Sequence, residues 1–156
     1  MALLQQKHIL LVEDDEDAVS ATAAILERSG YSVRLETKSL KALGAFSEKP
    51  DIFDLAFLTH GMPDLTGLEL AQRMRRIRPG LPIVLYTGDL GGPSSEQVEA
   101  TCKGGRVVTK PATRKELTDT IQAAFGGGWA ETGRDRRSTG LEAMPSTYLN
   151  CFSRAS

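Results

Sequence analysis

Five short apolar segments alternate with five segments of helical periodicity along most of this 156-residue chain. The third apolar segment, residues 53–58, is almost continuously apolar and runs directly into a polar loop. Apolar runs of this length are typical of strands that are covered on both faces. Strict alternation of strand and helix predicts parallel strands joined by right-handed crossovers. We therefore predict an α/β fold, with a doubly wound, five-stranded parallel sheet and helices on both faces.

The pattern assigns nearly every residue up to position 125 to a single domain, predicted to span residues 1–125. The predicted strands are residues 8–12, 31–36, 53–58, 82–86 and 106–109, and the predicted helices are residues 16–29, 39–47, 67–77, 94–102 and 113–125. Three glycines then interrupt the last helix, and residues 132–140 hold few apolar side chains. We predict that residues 126–156 form a Gly-rich, polar C-terminal tail, flexible or docked through later apolar residues.

The charge and the cysteine content limit the classes of function that this chain is expected to have. With 19 basic and 20 acidic residues, the net charge of -1 provides no large basic face for nucleic acid or an anionic membrane. We therefore expect a protein partner. Cys102 and Cys151 have no metal-binding spacing, which favours reduced thiols in a cytoplasmic protein. The first eight residues show no features of a signal peptide, and no apolar run approaches the roughly 20 residues that span a bilayer.

Polar side chains follow four of the predicted strands. In open parallel sheets, ligands bind beyond the carboxyl ends of the strands, near the point where the strand order reverses. Four positions far apart in sequence are therefore expected to meet in one shallow site. They are the acidic cluster Glu13-Asp14-Asp15, Thr59, Thr87 and Lys110.

This arrangement resembles the receiver domain of bacterial response regulators, the CheY-like, flavodoxin-like (βα)5 fold, over residues 8 to 125. The loop that carries Met62, Pro63 and Gly67 matches the loop after the third strand of that family, and Lys110-Pro111 matches its lysine–proline pair. The resemblance implies a non-enzymatic module of two-component phosphorelay signalling that acts by regulated protein–protein binding. Its implied partners are a sensor histidine kinase, a phosphotransfer protein or a downstream effector, bound through the fourth helix, fifth strand and fifth helix.

The resemblance also implies roles for individual residues. The phosphoacceptor position, an Asp in the family, falls on Thr59. Mg²⁺ would be held by Asp14 directly, by Glu13 through water and by the carbonyl of Gly61, because oxygen ligands suit this ion. Thr87 and Lys110 would contact the phosphoryl oxygens, and Pro111 is a candidate for a cis peptide bond.

Two positions depart from the family pattern. An Asp is already ionised at neutral pH, with a reference pKa of about 3.9, whereas the Thr59 hydroxyl must first lose its proton to a base. We therefore predict that Thr59 is not phosphorylated by the usual route, that Mg²⁺ binding is weak, and that Lys110 pairs directly with Glu13 or Asp14. Val107 occupies the switch position, where many receivers carry an aromatic residue. The chain is then either a natural pseudo-receiver or an acceptor mutant.

Other interpretations of the same residues stay open. Glu13 and Asp15 have the spacing of the two acids of a Mg-dependent aspartyl phosphatase of the dehalogenase type, but with Glu in the first place. A flavodoxin-like cofactor binder would need a phosphate-binding loop where this chain carries five acids. The acidic run is also suited to capping a helix. Apolar positions near Leu117 and Ile121 permit a homodimer through the last helix, although such residues are more often core.

Overall fold

Five parallel strands form one sheet in the order β2-β1-β3-β4-β5 in the computed structural model, which describes residues 6–88 and 92–125. The strands are β1 (His8–Val12), β2 (Ser32–Glu36), β3 (Leu55–Thr59), β4 (Ile83–Thr87) and β5 (Arg106–Thr109). The helices are α1 (Glu16–Arg28), α2 (Ser39–Glu48), α3 (Gly67–Ile77), α4 (Ser95–Thr101) and α5 (Arg114–Phe125). The predicted fold class is confirmed.

Helices cover both faces of the sheet because successive strand residues point to opposite sides. Leu10 and Leu58 contribute to the apolar core on the side of α2, α3 and α4. Ile9 and Phe57 belong to a second core on the side of α1 and α5. The central strands β1 and β3 are thus buried on both faces, which explains their continuous apolar sequences.

Local sequence signals fix where α3 and α4 begin and where α1 ends. Thr66 and Glu69 form a capping box at the start of α3, so that the loop after β3 has a defined end. Ser94 and Gln97 do the same for α4. Gly30 follows α1 with a φ of 101°, a left-handed conformation that glycine adopts without strain.

The predicted boundaries differ from the observed ones by one or two residues at several ends. The largest difference is at β3, which begins at Leu55 rather than at Phe53. Phe53 instead stacks on Phe46, with ring centroids 6.1 Å apart, and the Asp54 carboxylate accepts the His8 N–H at 2.7 Å. Packing and a side-chain hydrogen bond therefore define the residues that the apolar pattern assigned to the strand.

The apolar side chains of the last helix are buried in the core. Leu117 and Ile121 are 1% and 0% exposed, and both pack in the cluster under α1 and α5. They are therefore not available for the homodimer contact that the sequence permitted. The predicted tail, residues 126–156, lies outside the described residues. Across the described part of the chain, no helix combines the length and apolar character needed to cross a membrane.

Candidate receiver site

The carboxyl ends of β1, β3, β4 and β5 bring the predicted site together. β1 has β2 on one side and β3 on the other, so the strand order reverses beside the end of β1. Thr59 and Thr87 are the last residues of β3 and β4, and both are buried. Parallel pairing places Thr59 opposite Tyr86 and Thr87 opposite Thr109, which precedes Lys110.

An ion pair between Lys110 and Glu13 spans this end of the sheet. The Lys110 Nζ atom lies 2.8 Å from the Glu13 Oε2 atom, and the two side chains are 34% and 4% exposed. Lys110 is held from its backbone as well, because its N–H donates to the Thr87 carbonyl at 2.7 Å. The carboxylate of Glu13 thus has a counterion supplied by the protein itself, as the sequence analysis expected for Glu13 or Asp14.

Tyr86 contacts the same lysine, a role that the sequence analysis missed. The Lys110 Nζ atom lies 5.0 Å from the centroid of the Tyr86 ring, within the range of a cation–π interaction. The ring also packs on Phe57 at 5.4 Å between centroids. Tyr86 precedes Thr87 in β4 and therefore lies on the other face of the sheet. An aromatic residue beside a strand-end threonine was the available signal, but the sequence did not reveal its contact with Lys110.

The Thr59 side chain is engaged within the protein. Its Oγ1 atom donates to the Tyr86 carbonyl at 3.2 Å, and the residue is 2% exposed. The same carbonyl accepts the His60 N–H at 3.0 Å. None of the hydrogen bonds found in residues 6–88 and 92–125 joins this hydroxyl to a carboxylate that could remove its proton.

The three carboxylates of the acidic loop after β1 lie in different environments. Asp15 is the N-cap of α1, and its carboxylate accepts the N–H groups of Asp17 at 2.9 Å and Ala18 at 3.1 Å. Glu13 is buried, whereas Asp14 is exposed. Within the described residues, no three side chains of His, Cys, Asp or Glu are grouped closely enough to hold a metal ion.

The loop after β3 is tied to its surroundings at several points. The N–H groups of Met62 and Gly67 both donate to the His60 carbonyl at 2.9 Å. The Ser39 hydroxyl donates to the Pro63 carbonyl at 3.2 Å. A Cβ at Gly67 would overlap the Thr59 carbonyl oxygen, so this position requires glycine. The loop is consequently packed closely against the end of β3.

Two further predicted positions lie near the site. The Lys110–Pro111 peptide bond is cis. Val107 is half-buried and packs against the apolar core on the side of α2, α3 and α4. His60, which follows Thr59, is half-buried, and its Nδ1 atom is buried without a hydrogen-bond partner among the described residues.

A family comparison decides the class of this protein. The model of the response regulator receiver domain matches residues 9–122, which is nearly the whole described sheet with its helices. The chain belongs to this family. It is therefore a receiver module of the two-component response regulators, a class of signalling domains that generally do not act as enzymes.

Individual relatives agree with this assignment. The receiver is 32% identical over 116 residues to the response regulator receiver protein CpdR of Brucella abortus, covering 74% of this chain and 94% of the relative. It is 33% identical over 123 residues to the uncharacterized transcriptional regulatory protein YkoG of Bacillus subtilis. That match covers 78% of this chain but only 52% of the Bacillus protein.

Solved structures show the same fold. A CheY-like receiver domain protein from Methanospirillum hungatei superimposes with a TM-score of 0.66 at 28% identity, covering 78% of this chain and 94% of that structure. The (βα)5 fold and the strand order are thus those of a receiver domain.

Proposed function

We propose that this receiver acts by binding protein partners without transfer of a phosphoryl group to the acceptor position. The family resemblance implies that this position is Thr59. The ion pair between Lys110 and Glu13 is the observation that carries the proposal. The lysine expected to contact phosphoryl oxygens already has a buried carboxylate as its counterion.

The chemistry of Thr59 supports the same conclusion. A hydroxyl nucleophile requires a base that removes its proton. The Thr59 hydroxyl donates instead to the Tyr86 carbonyl, which cannot accept a proton for catalysis. Glu13 is engaged by Lys110, and Asp15 caps α1. An Asp at this position would need no base, because it is ionised at neutral pH.

We propose that Mg²⁺ binds weakly at this site. The candidate ligands are Glu13, Asp14 and the carbonyl of Gly61, as the family resemblance implies. A site with two carboxylates suits Mg²⁺ only when phosphate or water completes the coordination. Here one of these two carboxylates is neutralised by Lys110, so the net negative charge offered to a dication is small.

The proposed partners are proteins of a two-component pathway: a sensor histidine kinase, a phosphotransfer protein or a downstream effector. The face formed by α4, β5 and α5 is the proposed contact surface. We expect no direct binding to nucleic acid, because the chain carries a net charge of -1. A cytoplasmic setting stays a prediction from the cysteine content.

Intact-mass spectrometry after incubation with Mg²⁺ and acetyl phosphate tests the proposal directly. The chain with Thr59 is expected to keep its mass. The Thr59→Asp variant is expected to gain one phosphoryl group, because Thr87 and Lys110 are still placed at the ends of β4 and β5. A phosphoryl group on the chain with Thr59, assigned by peptide mapping to this threonine, would contradict the proposal.

Two variants make the experiment specific. The double variant Thr59→Asp with Lys110→Met is expected to lose most of the mass gain, because the cation at the phosphoryl site is gone. Asp15→Asn addresses the phosphatase of the dehalogenase type. A phosphoryl group on the chain with Thr59 that disappears in Asp15→Asn would replace the receiver mechanism with that enzyme mechanism.

A further inference from the structure

A groove of about 730 Å³ runs along the outer side of β5, between α4 and α5. Among the strands of residues 6–88 and 92–125, β5 lies at the edge of the sheet and pairs with β4. The apolar part of the lining comes from Ala100 on α4, Val107 on β5 and Ala123 on α5. Gly105 also lines the groove, and a Cβ there would lie 2.8 Å from Val98 Cγ1 and clash with the buried core.

Acidic side chains outnumber basic ones in the lining of the groove, in which Arg106 is the one basic residue. Glu96, Glu99 and Asp119 line it. Asp119 pairs with Lys115 at 2.6 Å, and Glu99 accepts the Gly104 N–H at 3.0 Å. Glu96 forms no ion pair or side-chain hydrogen bond within residues 6–88 and 92–125. An occupant with positive charge is therefore favoured.

Arg106 adds a second requirement for any occupant of the groove. It lines the same groove, and its Nε atom is buried without a hydrogen-bond partner among the residues that the structure describes. Burying a donor without an acceptor is energetically unfavourable. A suitable occupant therefore supplies an apolar side chain for the floor, cations for the acidic rim and an oxygen acceptor for Arg106.

We propose that residues 129–137 of this chain occupy the groove. The segment begins with Trp129, the single tryptophan of the protein, and continues to Arg134, Arg136 and Arg137. Trp129 supplies the large apolar side chain, and the backbone carbonyls of the segment supply acceptors. The three arginines supply the cations and outnumber the two acids of the segment, Glu131 and Asp135. No other stretch of this length in the chain combines a tryptophan with three arginines.

The segment is within reach of the groove. Ala123 lines the groove in the last turn of α5, and α5 ends at Phe125. Trp129 follows only four residues later, after Gly126-Gly127-Gly128, and glycines allow the chain to reverse direction. Twelve residues from Phe125 to Arg137 extend to about 40 Å at most. Such a short tether gives an effective concentration on the order of millimolar, so a weak intrinsic affinity is sufficient.

The docked segment covers the face through which the receiver is proposed to bind its partners. If that proposed function holds, segment and partner compete, and partner affinity is reduced by the fraction of chains in which the groove is occupied. Docking itself depends neither on a partner nor on phosphorylation. Its test therefore fails or succeeds separately from the mass-spectrometric test of Thr59.

Fluorescence of Trp129 in the full chain tests the docking. We expect the native protein to show a shorter emission wavelength and a several-fold smaller acrylamide quenching constant than the urea-unfolded protein. Ala100→Arg places a cation in the groove at an exposed helix position and is expected to raise the quenching constant several-fold. Ala21→Arg, at an exposed position of α1 away from the groove, is the matched control and is expected to change nothing.

A charge exchange gives a second, independent measurement. The double variant Arg136→Glu with Arg137→Glu is expected to raise the quenching constant, and the further change Glu96→Arg is expected to lower it again. Equal quenching in native and unfolded protein, or equal effects of Ala100→Arg and Ala21→Arg, would overturn the proposal. Protection of Trp129 that grows with protein concentration would also overturn it, because the occupant would then come from a second copy.

Discussion

Lys110 and Glu13, 97 positions apart in the sequence, meet at 2.8 Å across the carboxyl end of the sheet. The pair joins the loop after β1 to the loop after β5, the two most distant parts of the site along the chain. Because Glu13 is 4% exposed and Lys110 is 34% exposed, the two partners have unequal access to water. Because of this difference in exposure, replacing Lys110 and replacing Glu13 are expected to change the free energy of unfolding by different amounts.

Lys110→Met is expected to destabilise the receiver more than Glu13→Gln. Removing the lysine leaves a buried carboxylate without a counterion and also ends the contact with Tyr86. We expect a loss of about 3 kcal/mol in the free energy of unfolding, against about 2 kcal/mol for Glu13→Gln, where the lysine can still reach water. Urea denaturation at pH 7 measures both.

Asp14→Asn is the control for these two variants, since Asp14 is the exposed neighbour in the same loop. Its effect on the free energy of unfolding is expected to stay within about 0.5 kcal/mol. If Glu13→Gln costs no more than this control, the ion pair is not a stabilising contact.

Mg²⁺ affinity is expected to rise when a carboxylate is introduced at Thr59, the proposed acceptor position. Thr59→Asp adds a third negative charge at the same end of the sheet as Glu13 and Asp14 and, in the proposed site, offers Lys110 an alternative partner. A gain on the order of tenfold, or about 1.4 kcal/mol, is reasonable for one added charge at short range. Isothermal titration calorimetry with MgCl₂ measures the change, and Thr59→Asn is the uncharged control. Equal affinities of the two variants would mean that Thr59 does not lie at the ion site.

Gly67→Ala is expected to destabilise the receiver by about 3 kcal/mol through overpacking. A Cβ at Gly67 would overlap the Thr59 carbonyl oxygen and come within 2.9 Å of His60 Cα and Leu85 Cδ2. Gly44 is the matched control, because it lies in the interior of α2 and a Cβ there meets nothing within 4 Å. Gly44→Ala is expected to stabilise the protein by about 0.5–1 kcal/mol. Thermal and urea unfolding should therefore give opposite signs for the two changes.

Stability is expected to fall above about pH 8.5, the reference pKa of a thiol, because of Cys102. Burial raises the pKa of this thiol in the folded protein, and the Arg75 guanidinium lowers it by a smaller amount. A folded-state pKa above the unfolded value contributes stability that is present at lower pH and is lost as the pH rises through the folded pKa.

Urea denaturation between about pH 7.5 and 9.5 checks this, below the range in which tyrosines titrate. Cys102→Ala is expected to lower stability at every pH, since the thiol is fully buried, but to remove up to about 1.4 kcal/mol per pH unit of the decline. A decline of the same slope in Cys102→Ala would assign the effect to other groups.

The alternation of apolar and amphipathic segments was sufficient to predict the sheet, its parallel strands and the gathering of Thr59, Thr87 and Lys110 at one end. These features follow from local periodicity and from general rules for crossover connections. The boundary error at β3 has a different origin. Phe53 is as apolar as a strand residue, but it packs on Phe46 from the preceding helix region, a tertiary contact that periodicity does not contain.

The sequence alone also could not decide which acid pairs with Lys110. Glu13 and Asp14 are adjacent acids, and the sequence gives no basis for choosing between them. Burial separates them, because the Glu13 side chain turns into the site while Asp14 is exposed. The contact of Tyr86 with the same lysine depends on the height of the ammonium above the ring, which no residue pattern specifies.

The hydroxyl at the end of β3 has a consequence for timing. An acyl phosphate on a receiver is a covalent modification that persists, after the signal has ended, until the bond is hydrolysed. With Thr59 at this position and its hydroxyl bonded to the Tyr86 carbonyl, the proposed mechanism stores no such mark. Under this mechanism the receiver reports only the present concentration of its partners, and its response ends as fast as they dissociate.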